Sequence, residues 1–255
     1  MRKQHGPPGK KANRRWYRSP AAQDGEASFQ VVLAESDLWI TVHESCLPEA
    51  KKMALDLVAQ ARTPISTWIE IDPVFKTSLV PLDIPAHAPA LVRRMGDAAR
   101  HMGVGPMATV AGAVAEHVAA GLSAISPDCL VENGGDSMLW SQRERVVALL
   151  PDPSGRAHLG LRLEKGSFPL SLCASSGTFG HSLSFGNGDL AVARSRNACL
   201  ADAAATALCN RLKGPGDAGK TAEFAASFKE CGLDGVFVQC CGEIGVWGDM
   251  ELVFV

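Results

Sequence analysis

Apolar and polar positions along the chain fall into three rhythms. Phe29–Ala34 and Leu38–His43 are short runs rich in β-branched and aromatic residues, separated by Glu35-Ser36-Asp37. They predict two strands joined by a turn. From Pro48 to Arg62 the period lengthens: Ala50, Ala54, Leu57, Val58 and Ala61 share one face of a predicted amphipathic helix, with Pro48 and Glu49 suited to its first turn. Five prolines between Pro64 and Pro89 predict an irregular connection, and Ala90–His101 reads as a helix. Ala108–Ile125 is almost uniformly apolar, and its small residues (Ala108, Ala111, Gly112, Ala113, Ala115) suit a helix buried on most sides.

The second half repeats the order with different lengths. Asp128–Ser176 reads as β-rich, broken by Asn133-Gly-Gly-Asp136 and Pro151-Asp-Pro-Ser-Gly155. A strand at Leu190–Ala193 precedes a helix over Leu200–Leu212, which Lys213-Gly-Pro-Gly216 stops. A further helix over Ala222–Cys231 carries Phe224 and Phe228 on one face. A meander of Val236–Cys240, Ile244–Trp247 and Met250–Val255 closes the chain, with turns at Gly242-Glu243 and Gly248-Asp249. Strands, helices, then strands in both halves predict an α+β fold built from a duplicated unit. Residues 27–255 are expected to fold as one domain of two intertwined halves, and residues 1–26, rich in Lys, Arg, Gly and Pro, read as a disordered or mobile basic tail.

Composition narrows the functional classes. A net charge of −2 argues against broad electrostatic binding to nucleic acid or anionic lipid. No apolar run approaches the ~18 residues of a bilayer span. The basic N-terminus lacks the apolar stretch of a secretion signal, so a cytoplasmic protein is expected. The eight cysteines are scattered without metal-type spacing, and most sit in apolar segments and read as buried structural thiols; a sulfur-handling or metal site at Cys240 and Cys241 with Cys231 or Cys209 is the less favoured alternative. Strand alternation places adjacent Cys240 and Cys241 on opposite faces.

Four constellations carry candidate chemistry. Asp202 and Thr206 lie four apart on a predicted helix, offering a carboxylate and a hydroxyl to Mg²⁺ or Ca²⁺; equally, Asp202 suits a first helical turn and Thr206 a core position. Asn133, Gly134, Gly135 and Asp136 form either a hairpin turn or a backbone cradle for an anion. Ser175, Ser176, Gly177 and Thr178, followed by Gly180-His181-Ser182, offer hydroxyls and amides to phosphate or ribose, with His181 a candidate acid, base or ligand. Gly105-Pro106-Met107 before the buried helix is either an anion-binding helix start or a cap with proline at the first position.

In this order the segments resemble the ApbE-like superfamily of FAD:protein FMN transferases, and most closely a cytosolic branch of it. The matching stretches are Gly105-Pro-Met-Ala-Thr-Val-Ala-Gly-Ala-Val-Ala-Glu116, Leu130-Val-Glu-Asn-Gly-Gly-Asp136, Ala174-Ser-Ser-Gly177 and Ala201-Asp-Ala-Ala-Ala-Thr-Ala-Leu208. The resemblance implies a T-fold-like duplicated α+β architecture with antiparallel sheets and packed helices. It assigns Mg²⁺ to Asp202, Thr206 and a backbone carbonyl near Thr109 or Val110. It places FAD or a related nucleotide along Gly105, Met107, Asn133–Asp136 and Ser175–Thr178. It implies a flavin or nucleotidyl group transferase, and for the cytosolic branch a link to sulfur assimilation toward homocysteine, with a sulfur-pathway protein as partner. The chain departs from the transferases at their buried Lys-Gly pair, which is Ala111-Gly112 here, and lacks their His-x-x-Asp-Pro run after the Ser-Gly turn. An accessory protein that kept the fold without the chemistry is the other reading those departures leave.

Overall fold

The computed structural model describes residues 25–149, 159–177 and 188–254. Strands β1 (Glu26–Leu33) and β2 (Ser36–His43) form the expected hairpin, in register from Glu26↔His43 to Leu33↔Ser36. Glu26 is the first residue of β1. Its carboxylate is almost wholly buried and receives Arg143 at 2.6 Å and Arg145 at 2.5 Å.

Helix α1 (Leu47–Ile71) runs nine residues beyond the expected end at Arg62. Pro64 sits inside it and removes one backbone donor. Burial carries the helix through: Ile65 and Trp68 extend the buried stripe of Ala50, Ala54, Val58 and Ala61. The single-turn α2 (Val74–Thr77) interrupts the proline-rich connection, which leads into α3 (Ala90–Met102) and, after a 3₁₀ turn over Pro106–Thr109, α4 (Val110–Leu122). Strands β3 (Cys129–Asn133) and β4 (Asp136–Trp140) complete the first half.

After β5 (Arg145–Ala148) and β6 (Gly160–Leu163), the pattern repeats: β7 (Leu170–Ser175) and β8 (Leu190–Ser195), then α5 (Ala198–Arg211) and α6 (Asp217–Ala225), then β9 (Leu233–Cys240) and β10 (Glu243–Gly248). Both helices start earlier than expected. Asn197 caps α5, accepting from the Leu200 amide at 3.3 Å. Residues Ala226–Cys231, expected as helix, tighten into a 3₁₀ segment where Phe224 and Phe228 meet edge to face. The last strand, β11 (Glu251–Val253), does not continue the meander. It crosses to pair with β6.

The strand order is β1-β2-β3-β4-β7-β8-β9-β10, antiparallel throughout, so two four-stranded meanders join where β4 meets β7. In each meander the helices are inserted between the second and third strands. They cover one face of the sheet, α1 and α4 on the first half, α5 and α6 on the second. The opposite face of the central strands is covered by the small sheet β11-β6-β5. Strand β8 shows the consequence: Ala191 and Ala193 face the helices, Leu190 and Val192 face the small sheet, and all six residues are buried. No helix among the described residues is long and apolar enough to cross a membrane.

The buried Glu26 pair fixes the first strand to the loop before β5. Glu26→Ala removes the buried carboxylate shared by two guanidinium groups and leaves the nearly inaccessible Arg145 with Asp128 at 3.2 Å as its remaining carboxylate. A loss of about 2 kcal/mol is expected, below the ~3–5 kcal/mol of a wholly unpaired buried charge, read as a lower denaturant midpoint in urea unfolding.

Candidate functional site

The site is built where the two halves meet. Helix α4 begins at Val110 without a side-chain cap of its own, because the Thr109 hydroxyl turns back to the Pro106 carbonyl at 2.7 Å. Its exposed first-turn amides are met instead by Asp202 from the second turn of α5. The Asp202 Oδ2 accepts from the Gly112 N–H at 2.9 Å, and the Ala111 N–H also bonds to this carboxylate. Asp202 is thus neither in the first turn of its own helix nor bonded to it. Glycine at 112 makes the meeting possible, since a Cβ there would lie 2.4 Å from the Ala198 carbonyl oxygen. The Asn133 side-chain amide reaches the same node from the sheet, donating to the Ala111 carbonyl at 3.2 Å. Glu116 closes the next turn, pairing with Arg94 and accepting from the Ala198 N–H at 3.0 Å.

Asn133-Gly-Gly-Asp136 is a hairpin turn. Gly134 (φ 73°) and Gly135 (φ 114°) occupy the left-handed region between paired Asn133 and Asp136. The Gly135 N–H is already taken by Glu132 at 2.8 Å, so that amide is not offered to an anion. The hairpin delivers Asp136 into the interior beside β7, where its Oδ1 accepts from the Ala174 N–H at 3.3 Å and the Cys173 thiol bonds to the carboxylate.

The electrostatics follow from this enclosure. Burial pushes the Asp136 carboxyl up to about 7, helped by the charge of Glu132. Burial and then the charge of Asp136 hold Asp202 well above the usual carboxylate range. Burial, followed by the same two carboxylates, raises the Cys173 thiol. Burial and mutual repulsion together favour the protonated forms of these groups.

The third predicted turn frames this cluster. Ser175 ends β7 and is buried, Ser176 Oγ donates to the Asp189 carbonyl at 2.7 Å, and the Gly177 N–H donates to the Gly188 carbonyl at 2.9 Å. Residues 177 and 188 are therefore closed on each other, and the Gly177 amide is also spent internally. Thr178 and His181 lie outside the described residues. Gly105 serves packing: a Cβ there would lie 1.9 Å from the Ser78 carbonyl oxygen, and Pro106 takes the first position of the 3₁₀ turn. Met107 packs half-buried against the main core. The helix start that presents amides is Val110–Gly112, several residues later than Gly105, and Asp202 already fills it.

Structure thus joins Asn133, Asp136 and Asp202, with Ser175 buried at the end of β7 and Thr206 half-buried one turn beyond Asp202. It adds Ala111, Gly112, Cys173 and Ala174. Among the described residues, no three His, Cys, Asp or Glu side chains gather as a metal cluster. A cation here would draw on Asp202, the Thr206 hydroxyl and backbone oxygens. That is a hard-oxygen donor set of the kind Mg²⁺ takes, and the buried carboxylates suit its charge.

Two outcomes are expected. Gly112→Ala forces α4 and α5 apart and destabilises the protein by about 2 kcal/mol, measured by urea unfolding. Asp136, with its folded value near 7 against an ordinary 3.8, keeps a proton that the unfolded chain releases. The folded state then binds more protons across that window, so stability of the metal-free protein falls as pH rises through it. Asp136→Asn flattens this fall, checked by denaturant midpoints at about pH 5 and about pH 8.

Comparison with known proteins adds the following. The family model described as "AbpE bacteria" matches residues 19–244. A UPF0280 protein of Methanocaldococcus jannaschii is 35% identical over 209 residues, covering 79% of this chain and 84% of the relative. A UPF0280 protein of Methanosarcina acetivorans is 37% identical over 222 residues, covering 87% and 86%. Among solved structures, the apbe protein of Thermotoga maritima superposes with a TM-score of 0.55 at 11% identity, covering 86% of this chain and 96% of that one. The apo form of the Pseudomonas stutzeri flavinyl transferase ApbE gives 0.51 at 15% identity, covering 87% and 93%. These structural likenesses establish the fold.

Proposed function

Because the chain belongs to the ApbE-like superfamily and is a relative of its UPF0280 proteins, we propose that it is a cytoplasmic protein that binds FAD or a related nucleotide with Mg²⁺ and transfers a flavin or nucleotidyl group. The observation that carries this reading is the buried Asp202 carboxylate, set beside Asp136 at the seam where α4, α5 and the β3–β4 hairpin converge. The name of the Pseudomonas stutzeri neighbour, flavinyl transferase, supports the flavin part of the reading.

The chain's own residues would divide the work. Asp202 and Thr206 would hold the cation, while the α4 amides fix the Asp202 carboxylate in place. Mg²⁺, when bound, supplies positive charge against pyrophosphate oxygens as a phosphoryl–oxygen bond is cleaved. Asn133 ties the hairpin to the start of α4, so the turn and the carboxylate keep a fixed separation. Asp136 and Cys173 lie beneath Asp202, and burial favours the protonated form of both. The pair Gly177–Gly188 would fix the rim of the nucleotide pocket.

One observation favours a second reading. Asp202 is already engaged by two amides of α4, an employment that stabilises the fold whether or not chemistry follows. An accessory protein of sulfur metabolism, toward homocysteine, would keep this clasp and need no turnover.

Calorimetry separates them. The wild-type protein is expected to bind FAD or ADP only with Mg²⁺ present. Asp202→Asn keeps an oxygen for the α4 amides but removes the charge, and is expected to weaken that binding at least tenfold, about 1.4 kcal/mol, with little change in melting temperature. No Mg²⁺-dependent affinity for either nucleotide in the wild type would sink the nucleotide reading. A sulfur-pathway protein recovered in a pull-down would then support the accessory reading.

A further inference from the structure

The hairpin between β9 and β10 holds a second reactive centre, away from the carboxylates. Its two-residue turn is Cys241-Gly242, with φ of 54° and 81°, between paired Cys240 and Glu243. Strand alternation would send Cys240 and Cys241 to opposite faces, as expected from the sequence. The left-handed backbone at Cys241 cancels that alternation and swings its side chain back, leaving the two Sγ atoms 3.7 Å apart.

The two thiols differ in access. Cys240 is fully buried, and its thiol also lies 3.6 Å from the Gly214 carbonyl. Burial pushes it up to about 11, with Cys241, Asp189 and Asp217 adding in the same direction, so it rests as a thiol. Cys241 is exposed at the tip of the turn. An accessible sulfur therefore sits against a sheltered one, in the arrangement of an attacking and a resolving thiol.

We propose that Cys240 and Cys241 form a redox modification site that closes a vicinal disulfide by exchange with a low-molecular-weight disulfide. The Cys241 thiolate attacks one sulfur of the external disulfide, forming a mixed disulfide and expelling one thiolate. The Cys240 sulfur then attacks Cys241 Sγ, forming the internal S–S bond and expelling the second thiolate. The two protein protons leave with the two expelled thiolates, the external disulfide is reduced, and the pair is oxidised by two electrons. Closure brings the sulfurs together by roughly 1.7 Å, to the ~2.05 Å of a disulfide, and draws Cys240 away from Gly214. The turn's surroundings feel that movement: Glu243 Oε2 accepts from the Gly216 N–H at 2.7 Å, just before α6, and the Gln239 carbonyl accepts from the Asp189 N–H at 3.0 Å.

The test uses the full chain carrying Cys231→Ser, which removes the other exposed thiol. The reduced protein is incubated with oxidised glutathione and examined by intact and peptide mass spectrometry. The expected product is about two mass units lighter, with residues 240 and 241 linked in one peptide. Adding Cys240→Ser removes the resolving thiol and is expected to leave a stable glutathione adduct on Cys241. Adding Cys241→Ser is expected to abolish reaction at both positions. A stable glutathione adduct on the unaltered pair, absence of reaction there, or linkage of either cysteine to a different one would each overturn the proposal.

Discussion

The clasp between Asp202 and the amides of Ala111 and Gly112 is the interaction on which the rest of the site depends. A helix start buried without partners for its N–H groups is costly, and α4 has no cap of its own. The carboxylate that satisfies it comes from the other half of the molecule. That requirement sets the distance between α4 and α5. It demands glycine at 112, and it brings the hairpin tip within reach through Asn133 and Ala111. Remove the carboxylate and both the helix packing and the convergence of the three elements lose their reason.

The same seam runs through the sheet. Among the described residues β4 and β7 are where the two meanders pair in the eight-stranded order, and their register, from Ser137↔Leu172 to Leu139↔Leu170, carries Asp136 to the level of Cys173 within β7. One carboxylate thus arrives from the helical layer and the other from the sheet, each from a different half. A junction between repeats is where the repeat's own packing is incomplete, so polar groups can converge there without a complete hydrophobic wall. The second core, between the large sheet and β11-β6-β5, lies on the opposite face and leaves the carboxylates to the helical side.

How much of this the sequence disclosed depends on the kind of signal. The order of strands and helices was legible because β2 alternates with period two and α1 keeps its apolar stripe over 25 residues. Pro64 misled as to where α1 ends, because local chemistry opposes a helix there and burial of Ile65 and Trp68 overrides it. The destination of β11 was not legible at all: its pairing with β6 is non-local, and nothing in three residues specifies a partner strand. Within the site, Asp202, Asn133 and Asp136 stood out by residue type and order. Gly112 and Cys173 did not, since one acts by lacking a side chain and the other by position in a buried strand. The small-residue run of α4 was the one available hint of close approach. Cys241 was misjudged because a single left-handed residue reverses the face that period-two alternation assigns.

The double use of Asp202 has a mechanical consequence. A carboxylate held by two amides is fixed in orientation at the expense of part of its capacity as a ligand. Its charge is stabilised by the first turn of α4, yet burial and Asp136 oppose that charge more strongly, and the balance favours the proton. The Gly112 amide meets Oδ2 of Asp202 and the Ala174 amide meets Oδ1 of Asp136, so each carboxyl is held in place by a backbone donor from a different element. The fold therefore gives Asp202 a structural role that its oxygen alone can serve, and substitutions that keep the oxygen but remove the charge separate that role from any that needs the charge.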